Sequence, residues 1–304
     1  MSDLKLFRIV DGQATELAGA SVTVEKSLQA LLERNLETCL GVRFLATEYI
    51  TGKAHGGRID TLGIDENNSP VIIEYKRTRD ENVINQGLFY LDWLMDHQGE
   101  FTLLVQKALG PEAADKVEWT SPRLLCIAGD YTKYDEHAVQ QINRNIELLR
   151  YRWYEDGYLV LELVNAATGS SGASASTATG QPPKPQYKTV AEYYAQADPQ
   201  LKDLFDSLEN LLLGLGDDVT KKETKLYYAF RRLKNFASVE VHPQSRKLLV
   251  FVKVNPDEVV LEPGFTRDVR SIGHFGTGDL EITLSTPGDL AKAEQLLVAS
   301  YDAS

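Results

Sequence analysis

The sequence predicts an α/β domain, with a central mixed sheet flanked by helices, followed by a smaller α+β domain. Helical and strand-like patterns alternate over the first 164 residues, which is typical of a sheet covered by helices. Residues 165–186 are mostly Ala, Ser, Thr, Gly and Pro, which predicts a flexible linker. At 304 residues, the chain is long enough for two domains, which we place at 1–164 and 187–304.

The elements before the linker follow the order α-β-β-β-α-β-β-α-β after an opening hairpin. Leu28, Leu32 and Leu36 fall at helical spacing and predict the first helix. Thr78 and Glu81 have the spacing of a capping box, which predicts the start of the second helix. The predicted elements are a hairpin at 4–17, helices at 24–40, 80–97 and 134–150, and strands at 42–50, 58–64, 71–76, 101–105, 123–128 and 158–164.

The part after the linker predicts a small α+β domain. A glycine-rich turn at 273–279 lacks the Gly-Lys-Ser/Thr ending of a phosphate-binding loop. We expect this domain to serve in recognition, dimerisation or regulation. Its predicted elements are helices at 191–213, 220–234 and 289–301, and strands at 238–242, 247–254 and 280–285.

The composition is that of an ordinary globular protein, with 43% hydrophobic residues and a formal net charge of −12. This acidic balance argues against a protein that coats nucleic acid non-specifically, because such affinity comes mostly from surplus Lys and Arg. Cys39 and Cys126 match no metal-ligand spacing, so we expect neither a disulfide framework nor a zinc module. The start of the chain does not resemble a signal peptide, and no apolar run approaches the ~20 residues of a membrane span. We therefore expect a cytoplasmic protein with no membrane partner.

The passage 57–76 carries the most chemical information. Two strand patterns are joined by Asp-Glu-Asn-Asn-Ser, a run of turn formers that predicts a hairpin. Folding about Asn67 places Asp60 opposite Glu74, so both carboxylates project from one face with Cβ atoms ~5 Å apart. Lys76, two residues after Glu74, returns to that face.

Such a cluster has a clear chemical use. Two close carboxylates repel each other and are costly to desolvate, so the pair favours a divalent cation. Hard oxygen ligands select Mg²⁺ or Mn²⁺, and such a metal activates a bound water and polarises a phosphate. The ammonium of Lys76 can orient that water or neutralise charge that develops on the phosphate. The cluster therefore predicts phosphodiester hydrolysis, and the simpler alternative is a surface ion pair on an exposed hairpin.

A second motif follows on the next predicted helix, where Gln86 and Tyr90 lie one turn apart on one face. With Asp60, the Glu-Tyr-Lys run at 74–76 and a preceding helix that bears Glu, this pair resembles the PD-(D/E)xK nuclease superfamily. Within it, residues 4–164 are most similar to the NucS-like and RecB-like domains. The resemblance implies a restriction-endonuclease-like fold with an αβββαβ core.

The resemblance also implies a role for each matching residue. Asp60 and Glu74 would ligate Mg²⁺ (or Mn²⁺), and the backbone carbonyl of Tyr75 would add a third ligand. Lys76 would serve the attacking water. Gln86 would orient Lys76, the water or a phosphate.

The helix carboxylate of the family is ambiguous in this sequence. Glu25 best matches its position near the helix start, and we take it as the catalytic candidate. Glu33 and Glu37 lie further along the helix and are the alternatives, and each of the three could equally be a solvated charge. Ile59 stands where the family name has Pro, which is a frequent variation.

Cationic and aromatic side chains border the predicted site. Arg58 lies opposite Lys76 in the predicted register, and Arg77 and Arg79 follow that lysine. These arginines are candidate phosphate contacts, and a solvated basic turn is the alternative. Tyr90 is a further candidate contact to nucleic acid.

The second domain carries the densest basic stretch of the chain, at 221–234. Lys221, Lys222 and Lys225 are its candidate nucleic-acid contacts. The alternative is an amphipathic helix whose apolar side chains face the core while its cations stay in water. This domain resembles an uncharacterised C-terminal module of predicted transport proteins and putative nucleases.

Together these features predict a Mg²⁺-dependent nuclease, with DNA as the expected substrate and RNA as the other candidate. Restriction, phage defence or repair are the roles that fit by analogy. The alternative is a non-catalytic nucleic-acid-binding or regulatory protein on a nuclease fold. Either function is compatible with a homodimer or a regulatory protein partner.

Overall fold

The computed structural model describes residues 5–20, 25–52, 56–76, 83–154, 157–167 and 188–304. The chain forms two compact units, residues 1–171 and 172–304. The predicted linker lies outside the described residues from position 168 onward, as does the predicted capping box of Thr78 and Glu81.

In its described part, the first unit contains a small hairpin and a seven-stranded mixed sheet with helices on its faces. The elements are β1 (Leu6–Val10), β2 (Gln13–Leu17), β3 (Gly19–Ala20), α1 (Glu25–Arg34), α2 (Leu36–Leu40), β4 (Val42–Ile50), β5 (Arg58–Asp65), β6 (Pro70–Lys76), α3 (Val83–Asp96), α4 (Gln98–Leu109), α5 (Pro111–Ala114), β7 (Arg123–Ala128), α6 (Lys133–Gln140), β8 (Asn145–Tyr154) and β9 (Tyr158–Ala167). The sheet order is β3-β8-β7-β6-β5-β4, and β9 pairs with β8. Strands β4 to β6 are antiparallel neighbours, whereas β6, β7 and β8 run parallel. The predicted mixed sheet flanked by helices is thus confirmed.

Alternate residues of the central strands face different helices. A Cβ on Gly63 of β5 would approach the side chain of Leu36, so this residue faces α2. A Cβ on Gly87 of α3 would lie 2.5 Å from the side chain of Leu124, which pairs with Ile72 of β6. Since side chains alternate along a strand, the even-numbered residues of β6 and of β5 from Leu62 onward face α3, and the odd-numbered ones from Thr61 onward face α1 and α2. The start of β5 departs from this alternation, because Ile59 packs in the same core cluster as residues of α3.

Three predicted elements of this unit are wrong in part. The predicted strand at 101–105 belongs to the helix α4, in which Phe101 and Val105 are buried one turn apart. The first predicted helix breaks at Asn35 between α1 and α2. The predicted helix at 134–150 ends at Gln140, and its second half forms β8, because residues 145–150 pair with β7.

In the second unit, the described residues form a six-stranded antiparallel sheet with three helices packed on one face. The elements are α7 (Val190–Gln196), α8 (Pro199–Leu213), β10 (Thr220–Glu223), β11 (Tyr228–Arg231), β12 (Asn235–His242), β13 (Lys247–Val252), β14 (Thr266–Asp268), β15 (Leu280–Leu284) and α9 (Pro287–Asp302). The sheet order is β10-β11-β12-β13-β15-β14. This is the predicted α+β architecture.

The predicted helix at 220–234 is wrong, because this segment forms the antiparallel strands β10 and β11. Tyr228 and Phe230 pair with Val239 and Ala237 of β12 and join the core beneath the helices. The helical spacing of its apolar residues was therefore coincidental. None of the helices in the described ranges is both long and apolar enough to cross a membrane.

Candidate metal and catalytic site

The candidate site lies where β5 and β6 separate. Thr61 pairs with Ile73, which confirms the predicted register and sets Asp60 opposite Glu74. Beyond that pair, the backbone amides of the two strands donate to side-chain carboxylates instead of to backbone carbonyls. The Asp60 amide donates to Glu74 Oε1 at 3.2 Å, and the Tyr75 amide donates to Asp60 Oδ2 at 3.0 Å.

These two bonds orient both carboxylates. One oxygen of each is held by a backbone N–H, so neither side chain rotates without losing a charge-assisted bond. Glu74 is fully buried and pairs in register with Cys126 of β7, on the sheet face that α3 covers. Burial raises the pKa of the Cys126 thiol, and the negative field of Glu74 raises it further. The thiol next to the site is therefore neutral.

The helix α1 approaches the same strand from the other face. Gln29 Nε2 donates to the carbonyl oxygen of Asp60 at 2.9 Å and lies 3.1 Å from Glu33 Oε1. Glu33 Oε1 also accepts from Thr61 Oγ1 at 2.6 Å. Glu37 lies beyond the break, in α2, and is exposed. The backbone of Glu25 starts α1, and its side chain lies outside the described residues.

Tyr75 lies on the α1 face of the sheet. Its hydroxyl lies 3.4 Å from Thr61 Oγ1. Burial raises the pKa of Tyr75 well above its usual range. The bond to Thr61 acts against this rise, and the negative fields of Glu33, Asp60 and Glu74 add to it.

The predicted Gln86–Tyr90 pair supports the start of β5. Gln86 Nε2 donates to Tyr90 Oη at 3.1 Å, and the Arg58 amide donates to the same oxygen at 3.2 Å. A Cβ on Gly57 would lie 2.5 Å from the Tyr90 ring, so only glycine fits there. Tyr90 is 4% exposed. Burial leaves it no surface for nucleic acid, and its observed contacts are those of a support for β5.

The cations around the site differ in placement. Lys76 is partly buried at the end of β6. Arg58 is exposed and bonds Glu48 of the neighbouring strand at 2.5 Å. Arg77 and Arg79 lie outside the described residues.

The donor set fits a hard divalent cation. Two carboxylates and a backbone carbonyl supply oxygen only, and Mg²⁺ is commonly held by one or two carboxylates together with waters and substrate phosphates. Within the described ranges, no three His, Cys, Asp or Glu side chains are grouped so as to hold a metal ion. A site here would therefore consist of the Asp60–Glu74 pair, the Tyr75 carbonyl and waters.

The three lysine candidates of the second unit lie on or next to the hairpin of β10 and β11. Lys221 bonds Glu209 at 2.6 Å, and its ammonium lies 4.5 Å from the ring centre of Tyr228. This lysine therefore serves the packing of its own unit. Lys222 is partly buried, and Lys225 is exposed in the turn.

Sequence reasoning missed the polar residues that support the site. Gln29 and Thr61 belong to no recognised motif. The available signal was the polar Gln29 within the apolar pattern of the first helix.

Sequence reasoning also missed a buried ion-pair cluster at the other end of β5. Arg123 is 2% exposed, bonds both oxygens of Glu147 at 2.8 and 2.9 Å, and bonds Asp65 at 3.1 Å.

Comparisons with known proteins assign part of the chain. A family model described as a domain of unknown function, DUF5655, matches residues 190–304, within the second unit. An uncharacterized protein of Haemophilus influenzae is 24% identical over 290 residues, which cover 93% of this chain and 94% of that protein. The second domain is thus similar to a module of unknown function, as the sequence suggested.

Two solved structures also align with the chain. A repair endonuclease from Pyrococcus abyssi aligns with a TM-score of 0.29 and 18% identity, over 44% of this chain and 50% of that chain. The EndoMS-dsDNA2 complex aligns with a TM-score of 0.26 and 19% identity, over 43% and 46%. The chain spans about half the length of these proteins. At these scores the similarity carries no conclusion about activity.

Proposed function

We propose that the first unit is a metal-dependent nuclease that hydrolyses phosphodiester bonds, with DNA as its substrate. The observation that carries the proposal is the Asp60–Glu74 pair, in which a backbone amide fixes one oxygen of each carboxylate. Two close carboxylates repel each other, and Glu74 is fully buried, so a divalent cation that binds both would offset this repulsion.

Asp60, Glu74 and the Tyr75 carbonyl would hold Mg²⁺ or Mn²⁺. When bound, the ion lowers the pKa of a coordinated water and offsets charge on the phosphate. Lys76 shares the sheet face of Glu74 and would place its ammonium beside the reacting phosphate. Gln86 and Tyr90 hold the start of β5 and thereby position Asp60. Of the two, only Gln86 would contact the substrate, because Tyr90 is buried. The second unit would contribute recognition, dimerisation or regulation.

The test uses purified full-length protein with labelled single-stranded, duplex and branched DNA and the matching RNAs, in Mg²⁺ or Mn²⁺. We expect cleavage by wild type, none by Asp60→Asn, and a fall in rate of about 10²- to 10³-fold for Lys76→Met. Glu112→Gln removes an exposed carboxylate of the same unit and should cut like wild type. If wild type shifts these nucleic acids without cutting them, the non-catalytic alternative is correct. If Asp60→Asn cuts as fast as wild type, the assigned site is wrong.

A further inference from the structure

A chain of polar contacts connects α1 to the strand that carries Asp60. Gln29 is 6% exposed, and its Nε2 lies within bonding distance of the Asp60 carbonyl, Glu33 Oε1 and Thr47 Oγ1. An amide nitrogen has only two hydrogens to donate, so these acceptors share them. The Asp60 carbonyl and Glu33 accept only, so the amide cannot turn its oxygen towards them. The orientation of Gln29 is therefore fixed by its neighbours.

Glu33 is held from two sides. Its Oε1 accepts from the fully buried Thr61 hydroxyl at 2.6 Å and from Gln29 at 3.1 Å. The Thr61 hydroxyl reaches Glu33 of α1, so the Thr61 side chain lies on the α1 face of the sheet. Glu33 thus lies on the α1 face, whereas Glu74 lies on the α3 face with Cys126.

These contacts fix Asp60 at three points. Its carbonyl is held from α1 by Gln29, its amide by Glu74, and its carboxylate by the Tyr75 amide. Ligand positions in a metal site must hold to roughly 0.5 Å, and hydrogen bonds behind the ligands supply that accuracy. We propose that Gln29, Glu33 and Thr61 are positioning residues that set Asp60 for metal binding from the α1 face of the sheet, and that Glu33 is not itself a metal ligand. This inference rests on the proposed function and deepens it.

The two roles of Glu33 predict different mutational patterns. If Glu33 acts through Thr61, then Glu33→Gln and Thr61→Val break the same bond and their effects do not add. If Glu33 were a ligand, Glu33→Gln would weaken metal binding while Thr61→Val would leave it unchanged. Thr61→Ser keeps the hydroxyl that donates to Glu33, so it should keep the Mn²⁺ affinity of wild type.

The test measures Mn²⁺ affinity of the full chain by titration calorimetry, without nucleic acid. We expect Thr61→Val, Glu33→Gln and Gln29→Met each to raise the Kd for Mn²⁺ by about 10-fold, within the range for residues behind a ligand. The double variant Thr61→Val/Glu33→Gln should bind Mn²⁺ no more weakly than the weaker-binding of the two single variants. Glu112→Gln, which removes an exposed carboxylate of the same unit, is the matched control and should bind like wild type. Urea unfolding of each variant separates a positioning role from a structural one, because a structural role would lower stability and leave the Kd unchanged.

The outcomes separate this inference from the proposed function. If Asp60→Asn loses Mn²⁺ binding while Thr61→Val and Glu33→Gln bind like wild type, the inference fails and the proposed function stands. The inference also fails if only Glu33→Gln weakens binding, since that result makes Glu33 a ligand. If wild type and Asp60→Asn bind Mn²⁺ equally or not at all, both are overturned.

Discussion

The contact between Gly57 and Tyr90 offers a direct test of how the start of β5 is held. An alanine Cβ at position 57 would lie 2.5 Å from Tyr90 Cε1 and 3.1 Å from its hydroxyl. Carbon atoms in good contact are about 3.5–4.0 Å apart, so the ring or the strand must move by about 1 Å. The ring has little room, since Tyr90 is buried and its hydroxyl accepts from both Gln86 and the Arg58 amide.

We therefore expect Gly57→Ala to lower the free energy of unfolding by about 1–3 kcal/mol, the usual cost of an overpacked core. Asp60 lies three residues further along the chain, so a shift of this size should also lower any nuclease rate by about 100-fold. Urea unfolding followed by circular dichroism measures the first effect, and cleavage under saturating Mg²⁺ measures the second. Gly99→Ala is the control, because a Cβ there meets nothing within 4 Å.

A second variant identifies the source of the strain. Tyr90→Leu removes the ring, so adding Gly57→Ala to it should cost less than in wild type. If Gly57→Ala unfolds at the same urea concentration as wild type and keeps its rate, Tyr90 does not hold β5 in the way proposed here. Equal costs in both backgrounds would also refute the reasoning.

Two further predictions concern the stability of the fold. Arg123→Met should lower the free energy of unfolding by about 3–5 kcal/mol in urea, because it leaves two buried carboxylates without their cation; a loss below about 1 kcal/mol would contradict this. Arg270→Met, which removes exposed ion pairs, is the control and should have a much smaller effect. Burial, and then the bond to Glu100, raises the pKa of Tyr49 to about 12, so the unfolded chain loses this proton first as pH rises above about 10. Wild type should therefore lose more stability than Tyr49→Phe between about pH 9 and about pH 11, and equal losses would show that the pKa is not raised.

Features set by interactions between neighbouring residues were predicted correctly from the sequence, whereas features set by distant residues were not. The β5–β6 hairpin was predicted with its register, because strand alternation and a run of turn formers are local signals. The segment 101–105 was misassigned because a short apolar run fits a strand as well as a buried helix stripe, and the exposure of Leu103 within it decides for the helix. The segment 220–234 has apolar residues at helical spacing, yet pairing with β12 makes it a hairpin. Such long-range pairing leaves no mark in a local pattern.

The same division holds within the candidate site. Asp60, Glu74 and Lys76 lie on one hairpin, so the chemistry of the site can be read from 20 consecutive residues of sequence. The groups that orient them come from elsewhere, since Gln29 is 31 positions from Asp60 and Tyr90 is 32 positions from Arg58. Such a support needs only a side chain of the right length and hydrogen-bonding capacity on a helix packed against the sheet. A polar residue within an apolar stripe therefore does not by itself indicate this role in the sequence. A motif therefore identifies which atoms can react, whereas the packing of α1 and α3 against the sheet decides whether they are held well enough to do so. For this reason the variants of Thr61 and Gly57, which leave every motif residue intact, test the proposed site more stringently than removal of its carboxylates.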